Sequence, residues 1–149
     1  MQTQTSSLLQ YATDIVDYGI IGLLVLMSIV TLWLFIERMI FFKTVKIEQY
    51  KHRDELELDL TDNINVISAI ASNAPYVGLL GTVLGIMLTF YTLGDIGAVD
   101  AKKIMTGLAM ALKATATGLI VAIPAIVFYT TLNRKIERIL TKYDILNEQ

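Results

Sequence analysis

Three stretches of this chain carry almost no charge, and each is long enough to cross a bilayer. Tyr18 to Ile36 contains no Asp, Glu, Lys or Arg, and its apolar character continues through Met39, Ile40, Phe41 and Phe42. Asn63 to Gly94 is also free of charge, with Ala74 to Leu93 as its membrane-length part; Ile104 to Asn133 is interrupted by Lys113 alone. A hydrocarbon core of ~30 Å needs about 20 helical residues, so each run spans once. Unpaired backbone groups are too costly in lipid for anything but helices or closed barrels. The fold expected is all-α and integral to a membrane, with three transmembrane helices per subunit. Composition agrees: 54% of residues are hydrophobic, mean hydropathy is +0.58, and the 17% that are charged are bunched. A water-soluble domain needs charge on all its outer faces.

Several classes of function drop out. A net charge of −2 without a basic block offers no arm for nucleic acid. The absence of cysteine removes disulfides and thiolate metal sites. No P-loop, metal-ligand spacing or nucleophile–base pair is present, so no enzyme activity and no cofactor is expected. The one histidine, His52, falls among charged residues and reads as solvated.

The remaining charges set the direction. Met1 to Asp17 holds two aspartates and no basic residue, which is the pattern of a retained first span with its N-terminus outside, not of a signal peptide. Arg38, Lys43, Lys46, Lys51 and Arg53 follow the first span; Arg134, Lys135, Arg138 and Lys142 follow the third. That bias puts the central connection and the C-terminus in the cytoplasm. The expected organisation is a periplasmic N-terminus (1–17), span one (18–42), a helical cytoplasmic connection (43–73) and span two (74–93). A periplasmic loop (94–103), span three (104–130) and a cytoplasmic C-terminal helix (131–149) complete it. Within the connection, helical extensions of spans one and two turn around near Asp59 to Asn63.

The helix faces are unusual. Gly78, Thr82, Gly85 and Thr89 lie at spacings of four, three and four, on one small, hydroxylated face of span two. Gly107, Ala111, Ala114, Gly118, Ala122 and Ala125 form a matching stripe on span three, bordered by Thr115. Small stripes let helices approach closely in lipid. Two readings are open: packing surfaces with each threonine bonded one turn back, or the walls of a narrow polar path. Matching stripes also point to an oligomer with spans two and three at its centre and Trp33, Phe35, Phe41 and Phe42 of span one facing lipid. Pro75 is expected at a helix start or bend, and Pro124 at a kink after Ile120.

Lys113 lies about 10 Å inside the outer end of span three, at a cost unless it snorkels or finds a partner. Its face is that of Thr106, Ala109 and Thr117, off the small stripe. It either snorkels outward or pairs with a carboxylate of another chain, because spans two and three hold no acid. For the same reason these spans cannot relay protons by titration, and a partner would have to supply the carboxylate.

"APYVGLLGTVLGIM" (Ala74 to Met87) and "ALKATATGLIVAIPAIVFY" (Ala111 to Tyr129) resemble the ExbB/TolQ/MotA family of inner-membrane proton-channel proteins, most closely ExbB. The resemblance implies a homo-oligomeric ring, pentameric in ExbB and TolQ relatives, enclosing an ExbD- or TolR-like one-span partner whose membrane aspartate takes protons. Energy would pass through a TonB- or TolA-like protein to the outer membrane. The implied pore-lining residues are Thr82 and Thr115, with Gly78, Gly85, Thr89, Ala111, Gly118 and Ala122 around them, and Lys113 as a partner or lipid contact. Where many relatives carry a glutamate just ahead of the A-T-A motif, this chain has Met110, so that carboxylate's role does not carry over. The alternatives are a TolQ-like subunit of the Tol-Pal system and a non-conducting membrane scaffold.

Overall fold

A computed structural model describes residues 2–94 and 100–148. Among these the chain forms α1 (Gln2–Thr44), a 3-10 turn (Ile47–Gln49), α2 (Arg53–Thr61), α3 (Ile64–Gly94) and α4 (Ala101–Asn147). Helices α1, α3 and α4 are each long and apolar enough to cross a membrane. Part of the expected outer loop lies outside the described residues. On its far side Asp100 caps α4, its carboxylate accepting the Lys102 amide at 3.0 Å.

Three local expectations meet differences. Because α1 starts at Gln2, Asp14 and Asp17 ride on the same helix as the first span. That helix stops at Thr44 instead of extending through the connection, and α2 is a separate element reached through extended backbone at Lys46, Tyr50 and His52. The reversal lets α2 bury Leu56 and Leu60, which a straight extension of α1 would leave in water. Pro75 lies inside α3, which has begun at Ile64, so it starts no helix; Pro124 likewise sits inside a continuous α4. Between α2 and α3, Asn63 takes φ 59°, a left-handed conformation that asparagine tolerates better than most residues.

The helices pack around two cores of different character. One core, at the end of the bundle that holds α2, gathers large side chains: Leu34, Leu56, Leu60, Ile64, Ile67, Leu132, Ile136, Leu140 and Tyr143. The membrane core is built mostly from small residues, Ala71, Ala74, Ala122 and Ala125, with Leu24, Ile70 and Val121. Of the aromatic residues expected to face lipid, only Trp33 does so clearly, at 67% exposed. Phe35 stacks on Phe128 with ring centroids 4.2 Å apart, and Phe41 and Phe42 pack against the large-residue core. The correction follows from helix rotation: the face carrying Leu34 and Arg38 turns inward and takes the flanking rings with it.

Polar contacts clamp the half of the bundle that holds α2. The buried Arg38 guanidinium forks onto both Glu37 oxygens (2.9 and 2.6 Å) and donates to the Asp59 carbonyl at 3.0 Å, tying α1 to the end of α2. Tyr50 donates to the Asp59 carboxylate at 2.8 Å, which together with burial holds its phenol above the usual tyrosine range. Arg53 bridges Glu57 (2.7 Å) and Asp144 (3.2 Å), fastening the start of α2 to the end of α4.

The fully buried Leu60 should therefore matter more than the half-exposed Leu146. Leu60→Ala is expected to cost about 2–5 kcal/mol, and Leu146→Ala no more than about 0.5 kcal/mol. Unfolding of the detergent-solubilised protein measures both; equal losses would place the stabilising core elsewhere.

Candidate functional site

Helices α3 and α4 run antiparallel with their small stripes facing each other inside one chain. A Cβ on Gly78 would lie 2.7 Å from the Ala114 carbonyl oxygen, and one on Gly118 would lie 2.7 Å from the Ala74 carbonyl oxygen. Both obstacles are backbone and cannot swing aside, so the two helices touch main chain to main chain here. Farther out, Gly85 packs on Ala111 and Gly107 beneath Thr89. Farther in, Ala74 and Ala122 are buried in the same contact. The stripes thus satisfy each other within a subunit, and by themselves they require no second copy.

In the middle of this seam sits a pair of hydroxyls. Most threonines of the three long helices donate to the carbonyl four residues back: Thr31 to Met27, Thr89 to Gly85, Thr92 to Leu88, Thr106 to Lys102 and Thr117 to Lys113, all at 2.8–2.9 Å. Thr82 departs from that pattern. Its own one-turn-back contact with Gly78 is long, at 3.4 Å, and its hydroxyl instead reaches across to the Ala111 carbonyl at 3.0 Å and to the Thr115 hydroxyl. Thr115 is 3.5 Å from the Gly78 carbonyl, too long for a good bond. The distances favour one order of protons: Thr82 donates to Ala111, and Thr115 donates to Thr82. Thr115 then keeps free acceptor lone pairs, and it is half-buried where Thr82 is buried. The pair can accept a hydrogen bond from water or a protonated acid, but it cannot titrate.

Lys113 lies exposed on the other side of α4, off the seam. It lines a cleft with Met110 and Ala114 of α4 and with Asp14, Asp17, Tyr18 and Ile21 of α1. No ion pair forms there among the described residues, yet acids of the same chain share the cleft. This corrects the expectation that any acidic neighbour must come from another chain. The signal was present in the sequence: Asp14, Asp17, Tyr18 and Ile21 fall on one helical face. Met110 is exposed and borders the same cleft. His52 sits exposed just before α2 and makes no capping bond.

Comparison of the sequence with known proteins gives the family. A model of the MotA/TolQ/ExbB proton channel family matches residues 34–145. The chain is 53% identical over 134 residues to a putative biopolymer transport protein ExbB-like 2 of Helicobacter pylori, covering 90% of this chain and 89% of the relative. It is 51% identical over 134 residues to the biopolymer transport protein ExbB of Aquifex aeolicus, covering 90% of each. The Tol-Pal system protein TolQ of Pseudomonas aeruginosa is 36% identical over 91 residues, covering 61% of this chain and 38% of the relative.

The glycine contact makes a sharp test. Gly118→Ala forces α3 and α4 apart and should destabilise the protein by about 1–3 kcal/mol. Gly22→Ala, where a Cβ meets nothing within 4 Å, should be neutral or stabilising by up to about 1 kcal/mol. Thermal unfolding in detergent compares the two; a neutral Gly118→Ala would mean the helices are not in backbone contact.

Proposed function

We propose a function from one premise: the chain belongs to the MotA/TolQ/ExbB proton channel family. Members of this family are components of transport machinery, not enzymes, and the three apolar helices make this one a multi-pass membrane protein. On our reading it is the ExbB-type subunit of the bacterial inner membrane. It forms a homo-oligomeric, pentameric ring around an ExbD-like one-span partner and uses proton flow to energise a TonB-like protein for outer-membrane import. Two relatives named ExbB or ExbB-like match it at 51–53% identity over 134 residues, whereas the TolQ relative matches at 36% over 91 residues. That contrast favours ExbB over a Tol-Pal subunit.

The observation that carries the mechanism is the Thr82–Thr115 pair in a seam without a carboxylate or histidine. Spans two and three contain no Asp, Glu or His, so the proton-binding group has to come from the partner. A partner aspartate entering this environment of low dielectric would find a hydroxyl acceptor at Thr115, held in place by Thr82 and Ala111. Such an acceptor bonds the protonated acid and opposes its ionisation, so protonation is favoured beside the pair and release away from it. Gly78, Gly85, Ala111, Gly118 and Ala122 serve by bringing the two helices close enough to hold that pair. Thr89 belongs to the same face but bonds its own Gly85 carbonyl, and on this reading it has a lesser role.

Thr82→Val and Thr115→Val remove the hydroxyl at nearly constant volume. Each is expected to leave the assembly intact and to reduce proton flux and energy-dependent uptake several-fold, with the double variant almost inactive and Thr89→Val near normal. Liposomes holding the chain alone, with its partner, and with the partner's membrane aspartate changed to asparagine separate the roles. Robust flux through the chain alone would overturn the division of labour, and no flux in any mixture would favour a scaffold.

Orientation has its own test. The chain has no cysteine, so single cysteines report cleanly. Impermeant reagent added to intact spheroplasts should label Gln10→Cys and Lys102→Cys, and leave Asn63→Cys and Glu148→Cys untouched until the membrane is opened. Labelling of Glu148→Cys from outside would reverse the proposed topology.

A further inference from the structure

In the cytoplasmic half, α2 and the end of α4 lie back to back. Leu56 and Leu60 of α2 share a buried core with Leu132, Ile136 and Leu140 of α4. Two residues on from each buried position, a helix has turned by about 200°, to its opposite side. That places Asp54 and Leu58 on the outer side of α2, and Arg134, Arg138 and Lys142 on the outer side of α4. All five are exposed, Leu58 by 72%, a large value for a leucine in a short charged helix. With Glu55 beside Asp54, one flank is an acidic ridge that ends in a leucine, and the other is a basic ridge.

These outward charges are uncommitted. Among the described residues, Arg134, Arg138 and Lys142 make no ion pair, and neither do Asp54 and Glu55. Asp62, just past the end of α2, is not part of the ridge: it pairs with the buried Arg38 at 3.7 Å and accepts from the Asn63 side chain at 3.2 Å. The inward acids are already engaged: Glu57 and Asp144 with Arg53, and Asp59 with Tyr50. Glu137 shares the basic flank, which stays net positive.

The two ridges also stand at the same heights. The Arg53–Asp144 bridge of 3.2 Å fixes the register of α2 against α4, and the two run antiparallel. At about 1.5 Å per residue along each helix, Asp54 stands level with Lys142 and Leu58 with Arg138. A closed ring about an axis normal to the membrane keeps its copies level and sets one flank of each subunit against the opposite flank of the next. Anionic lipid explains the ridge less well. Headgroups are within reach of Arg134, but Lys142 stands about 12 Å farther along the helix, and the acidic flank of α2 would be repelled.

We infer that the acidic ridge of α2 docks on the basic ridge of α4 of the neighbouring copy. Leu58 seats in the shallow groove of about 430 Å³ lined by Arg134, Glu137, Arg138, Thr141, Lys142 and Ile145. This contact rests on the ring proposed above and adds to it a cytoplasmic, charge-selected interface at which a head-to-tail order is enforced.

Leu58→Cys with Thr141→Cys, expressed with the partner in native membranes and treated with a short bifunctional maleimide, tests it. Within one chain the two positions face opposite ways, so a ladder of cross-linked species on denaturing gels can arise only between neighbours. A ladder up to the full oligomer is expected. Adding Arg138→Glu and Lys142→Glu should lower the cross-linked fraction by about fivefold or more, and further adding Asp54→Lys and Glu55→Lys should restore most of it. The mass of the complex in mild detergent, measured in parallel, keeps the two readings apart. An oligomer without cross-links, or cross-linking indifferent to charge reversal, overturns the docking and leaves the ring standing. A monomer overturns both.

Discussion

The backbone-to-backbone contact of α3 and α4 at Gly78 and Gly118 is the constraint on which the rest of the structure depends. Lipid offers no hydrophobic gain for bringing two apolar helices together, so attraction must come from dispersion and weak C–H···O contacts over a very short distance. Only residues without a side chain permit that distance, because the atoms on either side are carbonyl oxygens that cannot move away. Once the helices are this close, Thr82 can bond the main chain of α4 instead of its own, and the hydroxyl pair follows as a consequence.

The chain changes its packing chemistry along its length for the same reason. Where the helices leave the membrane, water restores the hydrophobic driving force, and the core switches from alanine and glycine to leucine, isoleucine and tyrosine. Leu56 and Leu60 of α2 are part of that larger-residue core. Arg38 stands at the boundary. Glu37 takes two of its five N–H donors and neutralises its charge, the Asp59 carbonyl of α2 takes a third, Asp62 lies 3.7 Å away, and Phe41 lies 4.9 Å beneath its guanidinium. A buried cation so fully partnered locks the position of α2 relative to the first span.

The helical, three-span fold was legible in the sequence because freedom from charge over twenty or so residues has one common physical meaning. The stripes of Gly78, Gly85, Ala111 and Gly118 were legible as close-packing faces, since spacing fixes which residues share a side. Their partner was not, because a small face fits any other small face and periodicity says nothing about which chain provides it. The same limit applied to Thr82 and Thr115: sequence shows hydroxyls near a seam, but only geometry shows that Thr82 abandons the one-turn-back bond used by Thr31, Thr89 and Thr117. Asp14 and Asp17 were underrated beside Lys113 because reading the first seventeen residues as a separate terminus hid the continuity of α1. Phe35 and Phe41 were misplaced because an aromatic residue suits lipid and protein interior equally well.

Helix α4 is a single rod of 47 residues, and its tightest contact, at Gly118, lies partway along it. Such a rod is a lever. From Gly118 to Lys142 is about 36 Å of helix, so a tilt of about 5° at the glycine contact displaces the far end by about 3 Å. Glycine is the residue that best allows such rocking, for it presents no side chain to catch on the neighbouring helix. The Thr82–Thr115 pair lies only a turn from that pivot, so any change there that tilted the helix slightly would be read out as a displacement of several ångströms at its far end.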